Sequence, residues 1–110
     1  TGLETALPII IETMVNTGRM DWTDIARVMS TVPARIGRVE SQGQGLVVGA
    51  PAHVTLVDAT VRVTVDPAKQ WTRSTNCPFR GMELPGQVRY TIYGGVPTVV
   101  EATPIAKEDR

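Results

Sequence analysis

The sequence predicts a small domain with segregated α and β parts, helices first and strands after. Three observations lead there. Apolar residues recur at spacings of three and four up to residue 44. After Ser41-Gln42-Gly43-Gln44-Gly45 the period changes to two. No internal repeat and no strand–helix–strand alternation interrupts this order.

Leu3, Leu7, Ile10, Ile11, Met14 and Val15 form one apolar stripe, which predicts a first helix. Pro8 is compatible if the helix starts between Gly2 and Thr5, because first-turn amides have no acceptor inside the helix. Asn16-Thr17-Gly18 supplies the stop. Asp21 is placed to cap a second helix, with Asp24 at its third position and Met20 and Ile25 at the staple positions. Trp22, Ile25, Val28 and Met29 form its stripe. Pro33 is preset for a first turn and should open a separate short helix, Pro33 to Ile36, closed by Gly37.

Among the strands, His53 to Asp58 reads as one, with His53 an ordinary strand residue. A second runs through Val61, Val63 and Val65, which alternate with Arg62, Thr64 and Asp66 and should share one buried face. Gln87 to Glu101 reads as a hairpin turning at Gly94-Gly95, since glycine accepts the positive φ of both primed-turn positions. Pro97 then requires an edge strand over 96–101. The tail, 104–110, has no periodicity and should be loose.

Composition is that of an ordinary globular chain, 42% hydrophobic and 20% charged over 110 residues. Eleven basic and eleven acidic residues cancel, so no electrostatic feature favours nucleic acid or an anionic membrane as partner. The longest apolar run, Ala6 to Ile11, contains Pro8 and is far short of a membrane span. A chain that starts at Thr1 with its apolar pattern already under way reads as a fragment or processed product, without the pattern of a signal peptide.

The residues that carry chemistry are few. One histidine, His53, and one cysteine, Cys77, fall short of a metal cluster. Arg73 and Arg80 flank the Cys77 segment, and a nucleophilic thiol there would need His53 as its base; a plain structural thiol is the better reading. Glu4 and Glu12 are eight apart on the first helix, too far to share a proton, and read as a helix face meeting solvent or a neighbouring element. The glycine-rich pieces at 43–45 and 94–95 lead into no helix and match no phosphate-binding fingerprint. The expected site list is therefore empty: catalytic, none; cofactor-binding, none; metal, none.

Five segments in order resemble the C-terminal part of bacterial dihydroorotases: Gly2 to Pro8 (GLETALP), Pro33 to Gly37 (PARIG), Gly49 to Asp58 (GAPAHVTLVD), Val65 to Gly81 (VDPAKQWTRSTNCPFRG) and Leu84 to Gly95 (LPGQVRYTIYGG). The first segment and Ser74 to Gly81 are the most specific, whereas the strand entry at 49–58 is common to amidohydrolases. The resemblance implies an α/β fold, the C-terminal end of a (β/α)₈ TIM barrel followed by strands of a small composite β-sandwich. Residues 1–44 would be terminal barrel helices, 45–103 sandwich strands and 104–110 the tail.

The resemblance further implies a zinc-dependent enzyme of pyrimidine biosynthesis that interconverts N-carbamoyl-L-aspartate and dihydroorotate. Its zinc ligands (an HxH pair, a carboxylated lysine and two further histidines) and its proton-shuttling aspartate all precede the GLETALP segment. The 110 residues alone should be inactive, with the missing N-terminal part of the same protein as partner. A cytoplasmic location and a homodimer of the full-length protein are also implied. Cys77 stands where the family usually has Thr, so the segment reads as a structural loop leading to the last hairpin. His53 stands where Asp is more frequent, and Val32 replaces a capping Asn. A dihydropyrimidinase or allantoinase is the neighbouring alternative. A free-standing β-rich binding module is the alternative of another class.

Overall fold

The computed structural model describes residues 1–110. The first helix, α1, spans Ala6–Ile10 and passes into a π-helical turn, Ile11–Val15. Pro8 lies in its first turn, as the sequence requires, and no hydrogen bond is lost there. The widened turn coincides with two hydroxyls bonded back onto the helix. Thr13 Oγ1 donates to the Ile9 carbonyl at 2.8 Å, and Thr17 Oγ1 donates to that of Thr13 at 2.7 Å. The Asn16 amide reaches five residues back to the Ile11 carbonyl, 2.9 Å. Gly18, at φ +76°, ends the segment.

A capping box opens α2, Trp22–Ala26. The Asp24 amide donates to the Asp21 side chain at 2.9 Å, and the Asp21 amide donates to the Asp24 side chain at 3.1 Å. The helix does not stop before Pro33. A π-helical turn, Arg27–Thr31, leads straight into α3, Val32–Ile36. A proline ring inside a helix collides with the carbonyl four residues back, and a wider turn just upstream relieves that collision. The expected separate start at Pro33 is thereby corrected, and Val32, helical at φ −69° and ψ −47°, needs no cap because the chain is already helical. Gly37 retains a negative φ, and Arg38 takes the left-handed position at φ +57°.

Four strands follow: β1 Val54–Thr64, β2 Glu83–Tyr93, β3 Val96–Val100 and β4 Thr103–Pro104. They form one sheet in the order β1-β2-β3-β4. The two strands expected on either side of residue 60 are one. Asp58 Oδ1 accepts the Thr60 amide at 2.9 Å and its hydroxyl at 2.7 Å, a local bond that the strand accommodates without turning. His53 lies just outside β1 rather than within it.

Gly94 and Gly95 turn the β2–β3 hairpin at φ +56° and +82°, the two positive values of a type I′ turn. Thr91 faces Val99, but Ile92 faces Pro97, so the register slips by one residue beside the proline. The expectation that β3 is an edge needs correction, because Val99 and Val100 pair with Pro104 and Thr103 of β4. Pro97 itself lies outside that paired stretch and blocks no ladder bond to β4. The tail is likewise more ordered than expected. After β4, the Ile105 amide donates to the Thr98 carbonyl at 2.9 Å, and Lys107–Asp109 form a 3₁₀ turn.

Two compact units divide the chain. Thr1–Arg19 with Asp58–Gln87 make the first, and Met20–Val57 with Val88–Arg110 the second. In the first, Ile11 and Leu84 are 1% and 2% exposed, and Thr5, Pro67 and Cys77 are also buried. Burial of a leucine-sized side chain contributes about 1.5–3 kcal/mol. Val63 is 40% exposed, so the alternating valine face of β1 is only half covered. In the second unit Ile25 and Ala34 are buried, and Gly43 rests directly on the helix. No helix is long and apolar enough to cross a membrane.

Candidate functional site

The densest polar constellation in the first unit centres on Arg62, on β1. Its Nε donates to Glu83 Oε1 at 2.8 Å, its Nη2 to the Glu83 carbonyl oxygen at 3.0 Å, and its Nη1 to Glu12 Oε2 at 3.4 Å. Alternation along β1 puts Arg62 on the face opposite Val61 and Val63, within reach of both carboxylates. The bond to Glu83, and then that to Glu12, raise the Arg62 pKa above its ordinary value. A guanidinium held this way keeps its proton at every physiological pH. It ties the π-helical turn after α1 to β1 and β2, and it was invisible in sequence because its partners lie 50 and 21 residues away.

Glu4 makes the second constellation. Its Oε1 accepts the Trp71 amide at 3.1 Å and its Oε2 the Thr72 amide at 3.0 Å. One carboxylate thus fastens the start of the Trp71–Gly81 loop to the approach of α1, which is the neighbouring-element reading of the Glu4 face. Cys77 sits in that loop as a free, buried thiol. Arg80 faces the loop backbone, donating from Nη2 to the Thr75 carbonyl at 3.3 Å.

His53 belongs to the second unit. Its Nδ1 accepts the Gly94 amide at 3.1 Å, and its ring lies 4.9 Å from that of Tyr93, tilted by 44°. The Gly95 amide donates to the Ala52 carbonyl at 3.0 Å, so two bonds clasp the hairpin turn. A carboxylate could accept the same amide, which accounts for His being tolerated where the resemblance leads one to expect Asp. His53 and Cys77 therefore lie in different units.

No group of three or more His, Cys, Asp and Glu side chains is arranged to hold a metal ion. The residues of this chain do not fit the three-ligand set that a catalytic zinc requires.

No protein-family model matches the chain. Among curated proteins it is 49% identical over 100 residues to the dihydroorotase of Streptomyces coelicolor, covering 91% of this chain and 23% of that protein. It is 48% identical over 94 residues to the dihydroorotase of Mycobacterium tuberculosis, covering 86% and 22%. The chain matches the C-terminal portion of dihydroorotases. The dihydroorotase of Leifsonia xyli is 38% identical over 100 residues, covering 91% and 23%. Among solved structures, the L-hydantoinase (dihydropyrimidinase) of Arthrobacter aurescens superposes with a TM-score of 0.85 at 28% identity, over 96% of this chain and 23% of that one. The fold is a partial α/β domain of the TIM-barrel amidohydrolase kind. The chain spans less than a quarter of the length of the curated relatives it matches.

Proposed function

We propose that this chain is part of a dihydroorotase, a cyclic amidohydrolase that interconverts N-carbamoyl-L-aspartate and (S)-dihydroorotate in pyrimidine biosynthesis. The observation that carries the proposal is the 49% identity over 100 residues to the Streptomyces coelicolor enzyme. In this reading residues 1–44 are terminal barrel helices, 45–103 are strands of the sandwich and 104–110 are the tail. They contribute no group that touches substrate. Zinc, which supplies electrophilic activation of the ring carbonyl when bound, is held by residues that precede Thr1, as is the substrate. The full-length protein is cytoplasmic and dimeric. The role of these 110 residues is to hold the helices and strands that surround the site, through the Arg62 and Glu4 ties.

The hydantoinase likeness supports the dihydropyrimidinase alternative, but its 28% identity is the weaker support beside 49%. Substrate preference separates the two. The protein from the full reading frame is offered dihydroorotate, dihydrouracil and hydantoin, and ring opening is followed by absorbance. Preference for dihydroorotate is expected. Preference for dihydrouracil or hydantoin would transfer the assignment to the alternative.

A further inference from the structure

Between Glu40 and Asp58 the chain has no Asp, Glu, Lys or Arg. In the middle of this uncharged stretch Leu46 is 87% exposed, Val47 68%, and Val48 fully. The segment is not loose. The Ala50 amide donates to the Val47 carbonyl at 3.1 Å, closing a β-turn, and Gly49, its third residue, has φ +88°. That positive φ belongs to a type II turn, which glycine adopts without strain. Upstream, Gly43 is seated on the helix so closely that a Cβ would lie 2.6 Å from that of Ala34. The backbone is therefore fixed at both ends while its three largest side chains point away from their own unit.

Turns are dominated by Gly, Pro, Asn, Asp and Ser, and three aliphatic side chains leading into Gly49 depart from that pattern. Three consecutive apolar side chains on a fixed turn mark a surface that another apolar surface covers. We propose that the Leu46–Ala50 turn is an intramolecular docking knob, covered by the part of the same polypeptide that lies outside these 110 residues. The inference rests on the reading of this chain as a portion of a longer amidohydrolase-type protein. Its support is that the relatives are about four times as long as this chain, since 100 matched residues make up only 23% of the Streptomyces coelicolor protein. A covalently joined surface competes for the knob at an effective concentration of about millimolar, far above that of a second copy in solution. The absence of charge on the stretch fits an apolar seat and excludes a salt-bridged one.

The test uses the full-length protein carrying Val48→Cys, with Val47→Cys as a second variant should the first fail to fold. The introduced thiol is alkylated under native conditions and in urea, and the modified peptide is quantified by mass spectrometry across a hundredfold dilution. The knob predicts native alkylation slowed by about tenfold or more, unchanged on dilution. Alkylation as fast as in urea would overturn the inference. Protection that disappears on dilution would overturn it in favour of a second copy. Ring opening of dihydroorotate by the unsubstituted protein is measured in parallel. Protection without turnover sinks the dihydroorotase reading alone, and turnover without protection sinks the knob alone.

Discussion

Arg62 grips Glu83 twice, by its carboxylate at 2.8 Å and by its backbone carbonyl at 3.0 Å, while a third nitrogen reaches Glu12 at 3.4 Å. Both carboxylates and the guanidinium are partly solvated. Salt should therefore screen the tie. Arg62→Gln is expected to lower the melting temperature in dilute buffer, with the deficit shrinking as sodium chloride rises to about 1 M, where the Debye length is roughly 3 Å. A deficit independent of salt would show that packing of the side-chain stem, not charge, is what the substitution removes.

The capping box gives a pH dependence with a definite sign. The Asp21 backbone amide, and then the Arg27 side chain, lower the Asp24 pKa below its ordinary 3.8. A carboxyl whose folded pKa is depressed stabilises the fold above its unfolded value, and loses that contribution as pH falls through the folded one. Helix content by circular dichroism should fall on acidification below about pH 4, and Asp24→Asn should flatten that part of the curve. Asp21→Ala should cost about 1 kcal/mol at neutral pH. An Asp24→Asn curve that follows the parent would remove Asp24 as the cause.

Gly43 and Gly45 make a matched pair. A Cβ on Gly43 would meet the Ala34 Cβ at 2.6 Å and the Ser30 carbonyl oxygen at 3.0 Å, whereas one on Gly45 meets nothing within 4 Å. Gly43→Ala should destabilise by about 1–3 kcal/mol, the usual range for overpacking, and Gly45→Ala should be close to neutral. Equal effects in chemical denaturation would show that the 40–44 turn does not pack on the helix as described.

Cys77 is buried in a loop whose start is fastened by Glu4. In the full-length protein Cys77→Thr should leave turnover within a few-fold of the parent. A loss of about 10³ or more, the scale for removing a nucleophile, would make the thiol a participant in the reaction.

Features whose cause is local were legible in the sequence. The Gly94-Gly95 turn follows from two adjacent residues free to take positive φ, and the Asp21–Asp24 box from a spacing of three. Pro33 misled because a proline reads as a start, whereas the preceding π-helical turn lets the helix run through it. Two apolar runs, 53–58 and 61–65, were read as two strands, whereas β1 runs through residues 54–64 and the Asp58–Thr60 bond does not break it. The Glu4 and Arg62 ties join residues 67, 50 and 21 apart, and no pattern in one sequence announces such pairs. Period two around Val63 was read correctly as a strand, but periodicity gives the face of a side chain and not what covers it.

Whether these residues need the rest of the protein for catalysis is decided by comparing two samples, residues 1–110 alone and the protein from the full reading frame. Each is assayed for dihydroorotate ring opening by absorbance and for bound zinc by native mass spectrometry. Turnover and zinc are expected in the full-length protein, and neither in residues 1–110. Stoichiometric zinc with turnover in residues 1–110 would contradict this expectation, and so would a folded, zinc-loaded full-length protein inert toward dihydroorotate.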